Sequence, residues 1–396
     1  MNQASFAAIE LPNELPLKRI VFAVNRSVLR NGLRVKDERR DSDGQIEWQL
    51  AASSGRTVQR LRWLPSQNSF QSDEAYTPLL DQIAAQIAQF EHDDLEALFK
   101  ELGLPFSAPQ QLSSRASKRL YRVDDLIVQL WYSRKPDWLS RSSAALRALK
   151  DILPVPELIF SASSRTQAPF QVEITTCLPG QSFEQEWPKL DVAQRRAYVA
   201  QFADLMREMH KLQGQKLNAL AAIDGSLPWA ERCRRELQGR LSAARQAGVE
   251  QTQIEQVRAF IAKAESELDR PSLALVHNDL HLGNILVQNG KICGIIDFEC
   301  AEVGGFERDG YMMLGDAVGT MMGGSSERLA ENSALQVVRW LQNDYPALYN
   351  LPGAADRHML YLMLEPELGG EINHQGRFAA WTRILNEGWI RRWLSA

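Results

Sequence analysis

Two histidines, two aspartates, an asparagine and a glutamate crowd into "HNDLHLGNIL" (His277–Leu286) and "GIIDFE" (Gly294–Glu299), a region whose other residues read as β-strand. Asn289 and Gly290 sit between "ILVQ" and "KICGII", and Asn-Gly between apolar runs is the strongest short-range hairpin signal. A two-residue loop there pairs Gln288 with Lys291 and, stepping outward, Asn284 with Ile295. Directly opposed residues share a face, as do alternate residues of one strand, so Asn284 and Asp297 become diagonal neighbours on one face. Their oxygens suit Mg²⁺, which keeps several waters and takes one or two protein groups besides substrate phosphates. Asp279, in the loop entering the hairpin, puts a carboxylate where it can accept a proton from an incoming hydroxyl. These are the parts of a phosphoryl-transfer site. A different assignment is a metal hydrolase, with His277, Asp279 and His281 alternating on one strand face as ligands. The remaining histidines, His92, His210, His358 and His374, show no metal spacing.

The elements that must position these residues follow from periodicity. Residues 1 to about 70 predict short strands, "RIVFAV", "QIEWQLAA" and "TVQRLRWL", separated by "NG", "DSDG" and "SSGR" turns. Leu79, Ile83, Ile87 and Phe90 then recur at helical spacing, and Asp93 or Asp94 caps a second helix carrying Leu95, Leu98, Phe99 and Leu102. "GLPFSAPQQL" breaks the pattern near residue 105. Beyond it "RLYRV" and "LIVQLW" flank a two-residue Asp124-Asp125 turn, "SSAALRALKDI" reads as helix, "PVPELIFSA" as extended chain and "FQVEITTCL" as strand. After Leu178–Gly180 the chain turns helical, with Tyr198, Phe202, Leu205, Met209 and Leu212 on one face. Helix resumes after the polar strand region. The expected domains are 1–105, 106–178 and 179–396.

Bulk properties exclude several classes. A chain of 396 residues with 44% hydrophobic and 24% charged residues can bury a large core. Net charge is −4, and neither sign forms a block that would track a phosphate backbone, so no nucleic-acid partner is expected. The mixed-charge stretch Arg34–Arg40 reads as a solvated turn. Cys177, Cys233, Cys293 and Cys300 show no paired spacing and read as reduced thiols. No run of about 18 apolar residues occurs and the N-terminus lacks a leader pattern, so a cytoplasmic protein with no membrane partner is expected.

"VHNDLHLGNILV" followed by "GIIDFE" resembles the catalytic loop and metal-binding segment of the aminoglycoside phosphotransferase and choline kinase family, relatives of the protein kinases. "RLYRVDDLIVQLW", "VPELIF", the strand running into "LPG" and the helix ending "MREMHKL" agree with that family over residues 106 to 396. The resemblance implies an α+β, bilobal protein-kinase-like fold, with a β-rich lobe and a helical lobe, here preceded by a small N-terminal α/β extension. It also implies ATP, or GTP, between the lobes and transfer of the γ-phosphoryl to a small-molecule hydroxyl. By matching position, Asp279 is the base that orients the acceptor hydroxyl, His277 braces the loop, and Asn284 and Asp297 hold Mg²⁺. Thr176 and Leu178, where the strand meets "LPG", are the implied nucleotide contacts.

The family pattern fails in the segment expected to bind nucleotide. Gln129 stands where the nucleotide strand commonly has a lysine, and Ser142 or Ser143 where the following helix has its glutamate partner. The loop "LSSRASKRL" has no glycine, although Ser113, Ser114 and Ser117 can offer backbone amides to phosphate. A neutral Gln129 donates hydrogen bonds but no charge. In the predicted Asp124-Asp125 hairpin, Lys118, Leu120 and Arg122 share a face with Gln129. A relocated cation follows, with Arg122 suited to two-point phosphate contact and Lys118 nearer the phosphate loop. The plain alternative is a hairpin with two exposed basic side chains.

Further expectations concern binding. Glu365, Glu367 and Glu371 can attract a cationic acceptor, with Trp381, Trp389 and Trp393 adding aromatic faces. Solvated acids and a tryptophan-rich helix seam are the alternative. The missing lysine and glutamate also allow a pseudokinase, a binding module in which residues 1–105 contact a protein partner.

Overall fold

Alternation of apolar and polar residues builds the first sheet of the computed structural model. The structure describes residues 6–10, 33–40, 46–52, 57–64, 69–73, 92, 95–115, 118–131, 137–162, 171–212, 214–315, 317, 333–364 and 374–394. Strands β1 (Phe6–Glu10), β2 (Leu33–Arg40), β3 (Ile46–Ala52), β4 (Thr57–Leu64) and β5 (Ser69–Asp73) form an antiparallel sheet in the order β1-β5-β4-β3-β2. Ile46, Trp48 and Leu50 of β3 are buried, and Trp48 faces the buried Leu61 across the ladder. Strands β3 and β4 lie where "QIEWQLAA" and "TVQRLRWL" predict them. The stretch Arg34–Arg40, expected as a solvated turn, is instead most of β2. Among the described residues β2 ends the sheet order. The predicted strand "RIVFAV", the helix over 79–90, and Asp93 and Asp94 lie outside the described residues.

Helix α1 (residues 95–102) covers one face of a second antiparallel sheet. That sheet runs β6-β7-β8-β10-β9, from β6 (Gln110–Arg115), β7 (Lys118–Val123), β8 (Leu126–Trp131), β9 (Leu158–Ala162) and β10 (Gln171–Thr176). Leu95, Leu98 and Phe99 meet Tyr121, Val123, Val128, Leu130, Val172 and Ile174 in one core. Each such side chain contributes about 1.5–3 kcal/mol by leaving water. The β7–β8 hairpin has the predicted register, Val123 opposite Leu126 and Lys118 opposite Trp131, with Asp124 left-handed at φ 52°. Ser113 and Ser114, expected in a loop, belong to β6 and pair with Leu120 and Arg119. Ser117 lies outside the described residues.

The chain divides into two compact units, Met1–Leu139 with Leu158–Cys177, and Ser140–Glu157 with Leu178–Ala396. Helix α2 (Asp137–Leu149) therefore belongs mostly to the second unit. That unit is helical around two small sheets. One is β11-β13-β14, from β11 (Gln181–Ser182), β13 (Ile285–Gln288) and β14 (Lys291–Ile295). The other pairs β12 (Leu273–Val276) with β15 (Glu302–Gly305). The helices are α3 (Phe183–Glu186), α4 (Val192–His210), α5 (Gln215–Asp224), α6 (Trp229–Gln246), α7 (Gln251–Ala264), α8 (Ser333–Asp344), α9 (Ala354–Leu364), α10 (His374–Glu387) and α11 (Trp389–Leu394). Helix α4 starts at an Asp191–Gln194 capping box. It buries Tyr198, Phe202 and Met209 as predicted, with Met206 rather than Leu205 completing the face. No helix among the described residues is long and apolar enough to cross a membrane.

Gly180 has φ 101°, and a Cβ there would lie 2.6 Å from Cys293 Sγ and 2.8 Å from the Val287 carbonyl oxygen. Gly180→Ala is expected to lower stability by about 2 kcal/mol or more, from left-handed strain plus overpacking. Urea denaturation measures it, and an unchanged midpoint would show that the turn relaxes freely.

Candidate active site

Strand β12 is buried at Ala274, Leu275 and Val276 and delivers His277 at its end. The His277 ring is fully buried, packed on Phe298 with centroids 4.4 Å apart. Its Nε2 donates to the Ile296 carbonyl at 2.9 Å, and its Nδ1 accepts the Asp279 amide at 3.3 Å. The tautomer protonated on Nε2 satisfies both bonds. One side chain thus joins the loop carrying Asp279 to the residue preceding Asp297.

Both neighbouring turns are left-handed, with φ 67° at Asn278 and 69° at Asp297. Aspartate and asparagine tolerate that region better than other side chains, which explains the residue types. Asp309 stabilises the first turn. Its Oδ1 accepts the Asn278 amide at 2.8 Å and its Oδ2 accepts the His277 amide at 3.1 Å. His210 Nε2 lies 2.9 Å from the same Oδ2, and His210 Nδ1 lies 3.0 Å from the Tyr345 hydroxyl.

Asn284 turns its amide nitrogen to Asp279, 2.9 Å from the backbone carbonyl and 3.4 Å from Oδ2. That leaves Asn284 Oδ1 as the atom a cation would use. Burial pushes the Asp279 carboxyl above the ordinary aspartate range, and the nearby Asp297 charge adds to the shift. His281, His277 and the Asn284 bond act against it. A carboxylate so placed is a stronger proton acceptor than an exposed one.

The hairpin carries a correction. Gln288 pairs with Lys291 as predicted, but a register shift at Leu286/Val287 places Ile285, not Asn284, opposite Ile295. The additional residue on β14 is Cys293, a β-bulge. Asn284 and Asp297 lie beyond the ladder, Asn284 in a 3₁₀ turn and Asp297 at the start of another. Asp297 remains within electrostatic reach of Asp279. A carboxylate and an amide oxygen are a donor set that fits Mg²⁺ rather than zinc. Among the described residues no group of three His, Cys, Asp or Glu side chains forms a metal cage. The hydrolase ligand set His277, Asp279 and His281 is not formed, because His277 uses both ring nitrogens in hydrogen bonds.

In the first unit, Gln129 lies opposite Leu120 and Glu173, and Glu173 is fully buried. Gln129 Oε1 is buried without a partner. The ladder puts Lys118, Leu120 and Arg122 on the face of Gln129. Arg122, expected to reach phosphate, is exposed and donates Nε to the Asp124 carbonyl at 2.9 Å, at the hairpin tip. Lys118 Nζ lies 5.7 Å from the Trp131 ring centroid. Thr176 ends β10 opposite Leu126. Leu178 belongs to the second unit, where a Cβ added at Gly294 would lie 2.7 Å from its Cδ1.

Trp381 and Trp389 are buried, so they form the helix seam and present no open aromatic face to an acceptor. Trp393 stacks on Trp389. Glu365, Glu367 and Glu371 lie outside the described residues. Sequence reasoning missed Asp309, whose only local signal is three consecutive charges, Glu307, Arg308 and Asp309, flanked by Phe306 and Gly310.

No curated protein matches the sequence. Among solved structures the chain is similar to the streptomycin–ATP ternary complex of APH(2″)-IIa, with TM-score 0.53, 16% identity, and 68% of this chain and 86% of that chain covered. It is also similar to ADP-bound APH(2″)-Ib, with TM-score 0.51, 16% identity and coverage of 76% and 96%. The GDP complex of an aminoglycoside 2′-phosphotransferase-IIIa mutant gives TM-score 0.52, 13% identity and coverage of 75% and 93%. These likenesses establish an α+β protein-kinase-like fold. The model of the phosphotransferase enzyme family matches residues 109–349, more than half of the chain and all of the loop–hairpin site, and the protein belongs to that family.

Proposed function

We propose that the protein transfers the γ-phosphoryl group of ATP or GTP to a hydroxyl of a small molecule, with Mg²⁺. The observation that carries this reading is the partly buried Asp279 carboxyl, bonded to Asn284 and within the field of Asp297. In this reading Asp279 accepts the proton of the acceptor hydroxyl, and His277 fixes its loop against the segment leading to Asp297. Asn284 Oδ1 and the Asp297 carboxylate hold Mg²⁺, which when bound neutralises charge on the phosphate oxygens. Gln129, Lys118, Thr176 and Leu178 bind nucleotide, Lys118 supplying the charge that Gln129 lacks. Arg122 is the weaker candidate because its Nε is committed at the hairpin tip. The solved neighbours include complexes with ATP, ADP, GDP and streptomycin, which makes hydroxyl-rich aminoglycosides the first acceptors to test.

One observation favours a second reading. Gln129 replaces a lysine and leaves a buried oxygen unpartnered, as in a nucleotide lobe that has lost catalytic use. A pseudokinase would bind without turnover, with residues 1–105 serving a protein partner. Retention of Asp279, Asn284 and Asp297 together argues for the enzyme.

Phosphorus NMR of the protein with Mg²⁺, ATP or GTP and a panel of hydroxyl compounds separates the readings. The enzyme yields nucleoside diphosphate and a new phosphomonoester in equal amounts, whereas nucleotide that binds and is never consumed marks the pseudokinase. Asp279→Asn should lower turnover by about 10²- to 10⁴-fold, the usual worth of a general base, and leave nucleotide affinity within a few fold. Near wild-type turnover would reject Asp279 as the base.

The pH profile tests the same group. Activity requires the Asp279 carboxylate, so it is lost as pH falls through a value raised above the ordinary aspartate range. His281 lowers that value, so His281→Gln should move the acid limb of kcat/KM to higher pH. A limb that stays in place or moves down would contradict the assignment.

A further inference from the structure

Asp224, the last residue of α5, is a buried carboxylate whose side chain is only 2% exposed. Arg141 of α2 donates Nη1 to its Oδ1 at 2.6 Å. The Val303 amide donates to its Oδ2 at 3.0 Å, and Arg232 Nη2 lies 3.3 Å from that oxygen. The same Arg141 Nη1 also donates to the Ala301 carbonyl at 3.0 Å. Ala301 closes the 3₁₀ turn Phe298–Cys300 that Asp297 opens, and Val303 lies in β15. One guanidinium and one carboxylate, from two helices, therefore hold the backbone on the C-terminal side of the Asp297 turn. His277 holds the N-terminal side through Ile296.

Charge neutralisation does not require Arg141. Arg232 already pairs with Asp224 and also reaches Glu302 Oε2 at 3.2 Å, so Asp224 keeps a cation without it. What Arg141 adds is the bond to Ala301, and with it a link between α2 and the turn. Helix α2 follows β8 in the chain. Arg141 lies one residue before Ser142, on the same helix.

We propose that Arg141 is a positioning residue that, through Asp224 and the Ala301 carbonyl, sets the turn presenting Asp297 to the metal. The inference rests on the reading of Asp297 as a Mg²⁺ ligand. Outer partners of a metal ligand act by fixing its orientation, and their loss weakens the metal more than the fold.

Arg141→Gln and Arg141→Lys test it in the full-length protein. A lysine ammonium has three donors, ends one bond short of Nη1 and can serve both Asp224 and Ala301, whereas the glutamine amide nitrogen ends two bonds short and supplies neither bond. In Arg141→Gln the amides of residues 297–303 should exchange several-fold faster without any ligand, and the Mg²⁺ concentration for half-maximal transfer should rise about 10- to 100-fold. The melting temperature should change little, and Arg141→Lys should restore most of both properties. Unchanged exchange in Arg141→Gln, or equal losses in both variants that track lowered stability, would overturn the proposal. If the wild type transfers no phosphate, the phosphotransferase reading fails by itself. Exchange and direct Mn²⁺ binding by electron paramagnetic resonance then decide the role of Arg141, unchanged values overturning it and the stated losses supporting it.

Discussion

The Asp309 carboxylate is the interaction on which the site depends. It is 1% exposed and accepts two consecutive backbone amides, those of His277 and Asn278, while His210 approaches from α4. A buried carboxylate is costly unless its lone pairs are used, and a buried amide without an acceptor costs about 1–3 kcal/mol. The two requirements answer each other here. Asn278 can hold its left-handed backbone because Asp309 receives the amide that this conformation turns inward.

The neighbouring charges follow the same logic. Glu307 is fully buried and receives Arg357 Nη2 at 2.6 Å, and Arg308 pairs with Glu302. Three consecutive charged residues thus find three separate partners. Removing one partner of such a buried pair typically costs about 3–5 kcal/mol, because the other charge is left alone. The result is a frame of satisfied buried charges under the loop. Left-handed backbone at Asn278 and Asp297 costs about 1–3 kcal/mol of strain each and is kept only if the surroundings fix it.

How much of this is legible in the sequence depends on whether the determinant is local. Asn289-Gly290 and Asp124-Asp125 are local turn chemistry, and both hairpins form where the sequence predicts them. The Cys293 bulge has no local signature, so the register beyond it shifts by one residue and the expected Asn284–Ile295 pair is replaced by Ile285–Ile295. His277, Asp279, Asn284 and Asp297 are candidates that spacing alone can name, because the segment that carries them is short. Asp309, Asp224 and Arg141 cannot, since their partners lie 31, 79 and 83 positions away in the chain. Arg34–Arg40 misleads for a related reason, because only the pairing with β3 makes it a strand.

Asp309→Asn is the most direct measurement. An asparagine side chain presents one acceptor oxygen where the carboxylate presents two, so it can keep only one of the two amide bonds. NMR-detected exchange of the His277 and Asn278 amides should show that at least one loses protection. Turnover should fall about 10²-fold, the effect of misplacing a reacting group by about 1 Å, with nucleotide affinity little changed. Full protection of both amides together with wild-type turnover would contradict the claim that Asp309 sets the loop carrying Asp279.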